Sequence, residues 1–219
     1  MMTKMKFNPK ITKEEVNQLE IAEFGGDIVL IDEKSQISAA VEHLKTCKIV
    51  GLDTETRPSF TRGTHYKVSL MQIATDDCCY LFRLNKTGFT PELLDFLADT
   101  NVKKVGLSLR DDFHSLNRSN KINPNNFIDI QNIAKDYGIL ELGLQKIYAI
   151  IFGKKISKSQ RLTNWESETL TESQKRYAAT DAWATLKIYE ALIQEKKLTK
   201  KELQAIVELF TNPVSSVIG

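Results

Sequence analysis

The sequence is poor in the features that would divide, anchor or staple it. No apolar run approaches the roughly 20 residues that a membrane-spanning helix requires. No signal peptide opens the chain, because the start, MMTKMKFNPK, is basic with no apolar stretch behind it. Three cysteines occur, Cys47, Cys78 and Cys79, two of them adjacent and none in a CxxC spacing, which argues against a disulfide framework or a structural zinc site. A reducing, cytoplasmic setting is the expectation. The three histidines form no spaced cluster. No internal repeat, low-complexity tract or Pro/Gly-rich linker interrupts the chain.

What is present suits one domain. A length of 219 residues with 42% apolar and 26% charged side chains is enough for a full hydrophobic core and too apolar for disorder. The net charge of +2 decides nothing about nucleic acid, since acids gathered around metal ions offset a basic surface elsewhere. Residues 1–25 read as a helical leader, with Thr12 and Glu15 at capping-box spacing. Strands are predicted over Ile28 to Ile31, Lys48 to Asp53, Lys67 to Ala74, Cys79 to Phe82 and Lys104 to Leu107. Helices are predicted over Glu33 to Thr46, from Pro91 at a first helical position, and over Asp111 to Arg118. Further helices are predicted over Ile128 to Tyr137, Leu144 to Phe152, Glu172 to Gln194 and Lys200 to Phe210. Thr171 with Gln174 and Thr199 with Glu202 repeat the capping-box spacing. Strands early and helices late indicate an α/β layer fold with a mixed sheet.

Three segments carry candidate chemistry. In VGLDTET, Asp53 and Glu55 lie two apart at the end of an apolar strand and share a sheet face. A pair of carboxylates there asks for a cation or a wet cleft; two solvated acids at a strand end is the plain alternative. In KKVGLSLRDDFHSL, Asp111 and Asp112 fall in the first turn of a helix, where offsetting the helix dipole is a routine role for an acid. In LTESQKRYAATDAWATLKIY, Tyr177 and Asp181 stand one helical turn apart on one face, for a metal-holding carboxylate beside a phenol or for simple packing. Together the segments supply what phosphodiester hydrolysis needs. Hard divalent ions prefer carboxylate oxygens, and two such ions about 4 Å apart can bind the phosphate, activate water and stabilise the leaving oxygen.

These segments resemble the three exonuclease motifs of the DEDD superfamily of 3′-5′ exonucleases, in its tyrosine branch. Ribonuclease D and the exonuclease domain of the Werner syndrome helicase are the look-alikes. The similarity runs from about Val50 to Leu192 and includes TRGTHYKVSLMQIA and LTNWESETLTESQKRYAATDAW. The histidine branch would place His where Arg176 stands. The resemblance implies a ribonuclease H-like fold, a five-stranded mixed sheet flanked by helices. It also implies an exonuclease domain over 26–195, between the leader and a C-terminal helix and tail over 196–219. It implies that Asp53, Glu55, Asp112 and Asp181 hold two divalent cations, Mg²⁺ or Mn²⁺, and that Tyr177 orients the attacking water. Asp112 fits the second motif better than Asp111 because Leu116 follows it four positions later. The expected partner is a single-stranded 3′ end of DNA or RNA, not a membrane; the oligomeric state stays open. DNA is the preferred substrate on the TRGTHYKV segment, with RNA trimming as the alternative.

For the strand itself, Arg62, Lys67 and Arg161 are candidate phosphate contacts, and Phe60 and Trp165 candidate stacking groups. Each cation also reads as ordinary solvated surface, and Trp165 as a packing residue. A non-catalytic binding module of the same fold is the reading from another class. It would be expected to lack at least one of the acids, and all four are here.

Overall fold

The computed structural model describes residues 5–61, 66–109 and 122–211. The helix predicted from Asp111 to Arg118 lies outside them.

The described strands are β1 (Asp27–Ile31), β2 (Ile49–Thr56), β3 (Val68–Ala74), β4 (Cys78–Phe82), β5 (Lys103–Gly106) and β6 (Phe127–Asp129). They form one mixed sheet in the order β1-β4-β3-β2-β5-β6, antiparallel at β2–β3 and β3–β4 and parallel elsewhere. The expected sheet had five strands; the sixth is β6. Its residues read as the start of a helix because Ile128, Ile130 and Ile133 suit either period. The helix starts at Ile130 because the Asp129 carboxylate caps it, accepting from the N–H groups of Gln131 (2.9 Å), Leu109 (3.0 Å) and Ser108 (3.2 Å).

The α-helices among the described residues are α1 (Lys13–Gln18), α2 (Ile37–Lys45), α3 (Leu84–Thr87), α4 (Pro91–Ala98), α5 (Ile130–Ala134), α6 (Leu144–Phe152), α7 (Glu172–Ile193) and α8 (Lys200–Thr211). Among the described residues none is long and apolar enough to cross a membrane. The capping boxes predicted at Thr12 and Thr171 are both formed. Thr199 and Glu202 exchange the same reciprocal bonds ahead of α8.

Alternation along β2 sorts its residues between two layers. Val50 and Leu52 face a core built from α2 (Val41, Leu44) and α4 (Leu93, Phe96, Leu97). Gly51, Asp53 and Glu55 face the other way, toward α7. That helix presents Ala178, Ala179 and Ala182 to Leu70 and Ala74 of β3. Small residues let it lie close: a Cβ built on Gly51 would be driven into the Ala182 carbonyl oxygen and meet Thr185 Oγ1 at 2.9 Å. Thr185 Oγ1 in turn donates to the Val105 carbonyl on β5 at 2.9 Å, fastening helix to sheet. The leader is part of this layer. Phe24 is buried; its N–H donates to Thr180 Oγ1 (3.0 Å), and its carbonyl accepts from Arg176 Nη1 (2.7 Å).

Candidate active site

Strand β2 and helix α7 bring together acids distant in sequence. Carboxylate oxygens of Asp53, Glu55 and Asp181 all lie within 4.8 Å of one another, Glu55 and Asp181 buried and Asp53 half-buried. Asp53 and Glu55 reach the spot by strand alternation, and Asp181 because α7 crosses at the spacing Gly51 permits. The fourth predicted acid, Asp112, and its neighbour Asp111 lie outside the described residues.

Tyr177 stands one turn before Asp181 on α7, buried, and its hydroxyl donates to the Asp181 carboxylate. The ring is held from behind by Trp165, 6.0 Å away between centroids. Trp165 is 0% exposed, so no face is left for a nucleobase, and its role as a stacking group is corrected to that of a buttress for Tyr177. The segment bearing it is pinned by Arg83, a buried cation whose guanidinium donates to the carbonyls of Ser167 and Glu168. Phe60, by contrast, is 85% exposed. Lys67 and Arg161 are exposed, and Arg62 is outside the described residues.

Two cations escaped sequence reasoning. Arg57, two residues past Glu55, lies over the Tyr66 ring at 4.9 Å and reaches Glu166 at 3.5 Å. Lys158 is near enough to Asp181 for its charge to favour the ionised carboxylate. Their signals were faint: a lone arginine after the acid pair, and one lysine in the basic run 154–161.

Electrostatics at this point are unfavourable to bare carboxylates. Burial pushes the Asp181 carboxyl up to about 7, against the opposing pull of the Tyr177 hydroxyl and of Lys158. Tyr177 is driven above the ordinary phenol range, first by burial and then by the charges of Asp181, Glu55 and Asp53. It therefore stays a neutral phenol at physiological pH, a donor rather than a base. A hard divalent cation supplies the charge this donor set lacks, and an all-oxygen set is the kind such ions prefer. The residues fit.

A pH dependence follows. The folded-state value for Asp181, about 7, lies above the ordinary 3.8, so between these values the folded protein holds more protons than the unfolded chain. In chelator, its contribution to stability is fully present at low pH and is lost as pH rises through that window. Melting temperatures of wild type and Asp181→Asn, compared from pH 5 to 7.5 in chelator, should diverge in favour of the variant. A constant difference would remove Asp181 as the titrating group.

Residues 28–197 match the family model described as a 3′-5′ exonuclease. A mouse bifunctional 3′-5′ exonuclease/ATP-dependent helicase, WRN, is 30% identical over 190 residues, covering 80% of this chain and 13% of that protein. An Arabidopsis thaliana 3′-5′ exonuclease is 32% identical over 149 residues, covering 65% of this chain and 52% of that protein. The chain thus spans about half or less of the length of these two relatives. The crystal structure of the Aedes aegypti Nibbler EXO domain superposes with a TM-score of 0.72 at 22% identity, covering 85% of this chain and 99% of that one.

Proposed function

The chain belongs to the 3′-5′ exonuclease family, and from that premise we propose that it removes nucleotides one at a time from the 3′ end of a DNA strand, releasing nucleoside 5′-monophosphates. The observation that carries the reading is the convergence of Asp53, Glu55 and Asp181 within 4.8 Å beside the Tyr177 hydroxyl. Asp53, Glu55 and Asp181, with Asp112 as the fourth acid, are the residues that would hold divalent ions, Mg²⁺ or Mn²⁺. Such ions, when bound, polarise the phosphate, lower the pKa of water and stabilise the departing oxygen.

The chain's own groups do the rest. Tyr177, kept protonated by its surroundings, offers a fixed hydroxyl that orients water or a phosphate oxygen, and Trp165 behind it limits the ring's freedom. Phe60 presents an open aromatic face to a base. Arg57, Lys67 and Arg161 supply positive charge along the strand's path, with Arg62 in the same connection between β2 and β3. Residues 26–195 form the catalytic unit, with the leader and the C-terminal helix as braces. The three free cysteines suit a reducing, cytoplasmic compartment.

The test uses a 3′-recessed DNA duplex, single-stranded DNA and single-stranded RNA, each labelled at the 5′ end, with Mg²⁺, Mn²⁺ or chelator. A ladder shortening from the 3′ end of DNA, lost in chelator, is the expected result. Faster shortening of RNA would reassign the substrate, and no shortening in either metal would sink the proposal. Tyr177→Phe should lower kcat by about 10²-fold, the lower range for loss of one fixed hydrogen-bond donor at a reacting centre, with KM little changed. Unchanged kcat would take Tyr177 out of the chemistry.

A further inference from the structure

Gln72 sits in the middle of β3, 0% exposed, and neither its amide nitrogen nor its amide oxygen has a hydrogen-bond partner among the described residues. A buried polar group left in that condition costs stability, and one that persists in a well-packed core calls for an explanation.

Register supplies it. Gln72 is paired across the β2–β3 ladder with Asp53, and directly opposed residues of an antiparallel pair share a sheet face with their Cα atoms about 4.5–5.5 Å apart. Gln72 therefore projects toward α7, on the face that carries the acids. The apolar cluster on that face includes Leu70 and Ala74 on β3, Leu81 opposite Gln72 on β4, and Ala178, Ala179 and Ala182 of α7. Among the described side chains of the paired strands, the polar groups nearest in register are Asp53 itself and, one pair further, Glu55, opposite Leu70.

We propose that Gln72 is a positioning residue for the site: with a divalent ion held there, its carboxamide turns to donate to the Asp53 carboxylate across the ladder and keeps one oxygen toward the ion. This rests on the metal-holding role of Asp53 proposed above. Ligand carboxylates are commonly oriented by such outer hydrogen bonds, whose loss weakens metal affinity about 10–100-fold. A purely structural glutamine would behave otherwise, so two readouts separate the roles.

Mn²⁺ binding is measured by calorimetry on wild type, Gln72→Leu and Asp53→Asn, and melting temperature is measured in chelator. Gln72→Leu removes the orphaned amide from an apolar surround, so the metal-free variant should melt at least as high as wild type, by up to about 2–4 °C. Its Mn²⁺ affinity should fall about 10–100-fold. An affinity within twofold of wild type overturns the proposal, whatever the melting temperature. Should Gln72→Leu not fold, the unbranched Gln72→Met is held to the same criteria, and failure of both to fold marks Gln72 as structural and overturns it too. Wild-type binding abolished by Asp53→Asn secures the underlying site. If wild type binds no Mn²⁺, or Asp53→Asn binds normally, the site reading itself has failed and takes Gln72 with it.

Discussion

Asp53→Asn should abolish hydrolysis while leaving the protein folded and, in chelator, no less stable than wild type. The side chain keeps its shape and loses its charge, so β2 is undisturbed and one of three carboxylates lying within 4.8 Å no longer repels the other two. Loss of activity should exceed about 10³-fold, since removing even a single neutral donor to a developing charge costs about 10²–10³-fold. The combination is diagnostic. A variant that unfolds would mean that Asp53 is structural, and one that retains more than a tenth of the wild-type rate would place the reaction elsewhere. The measurement pairs the 3′-shortening assay with a melting curve.

Gly51→Ala should do the reverse, harming fold and activity together. The added methyl would be forced into the Ala182 carbonyl oxygen, a backbone atom that cannot swing aside like a flexible side chain. Helix α7 has to lift or tilt, at a cost of about 1–3 kcal/mol or more for overpacking a tight interface. Asp181 and Tyr177 ride on that helix, while Asp53 and Glu55 stay on the strand. A shift near 1 Å between the two halves of a reacting constellation costs about 10²-fold in rate. Chemical denaturation and kcat on the soluble fraction read the two effects. If both remain at wild-type values, close approach of α7 to β2 is not what sets the site.

Much of this arrangement was legible before any coordinates. The apolar run ending in Asp53, the period-two placement of Glu55 and the four-residue spacing of Tyr177 and Asp181 are local patterns, and local patterns survive into the fold. So are the capping boxes at Thr12 and Thr171, each formed as its spacing predicts. The strand β6 was not legible, because what ends it is the Asp129 carboxylate reaching Ser108 and Leu109, some 20 residues back along the chain. Nor was the burial of Trp165, an indole in a loop whose place is fixed by the distant Arg83 and by the ring of Tyr177. Gln72 is the sharpest case. In the run VSLMQIA it is one polar residue in an apolar strand, and only its register against Asp53 gives it a meaning. Patterns within an element are written in the sequence; partners between elements are not.

Asp53 and Asp181 are 128 positions apart, yet they meet at one point. Strands β2, β3 and β4 are neighbours both in sequence and in the sheet, and they can pair while synthesis is still under way. The helix that completes the carboxylate set leaves the ribosome last but one among the described helices, at a pace of about 5–20 residues per second. A half-made chain therefore carries Asp53 and Glu55 without Asp181 and Tyr177. The carboxylate set is complete only once α7 has docked on β2, and the chemistry proposed for it cannot precede that packing step.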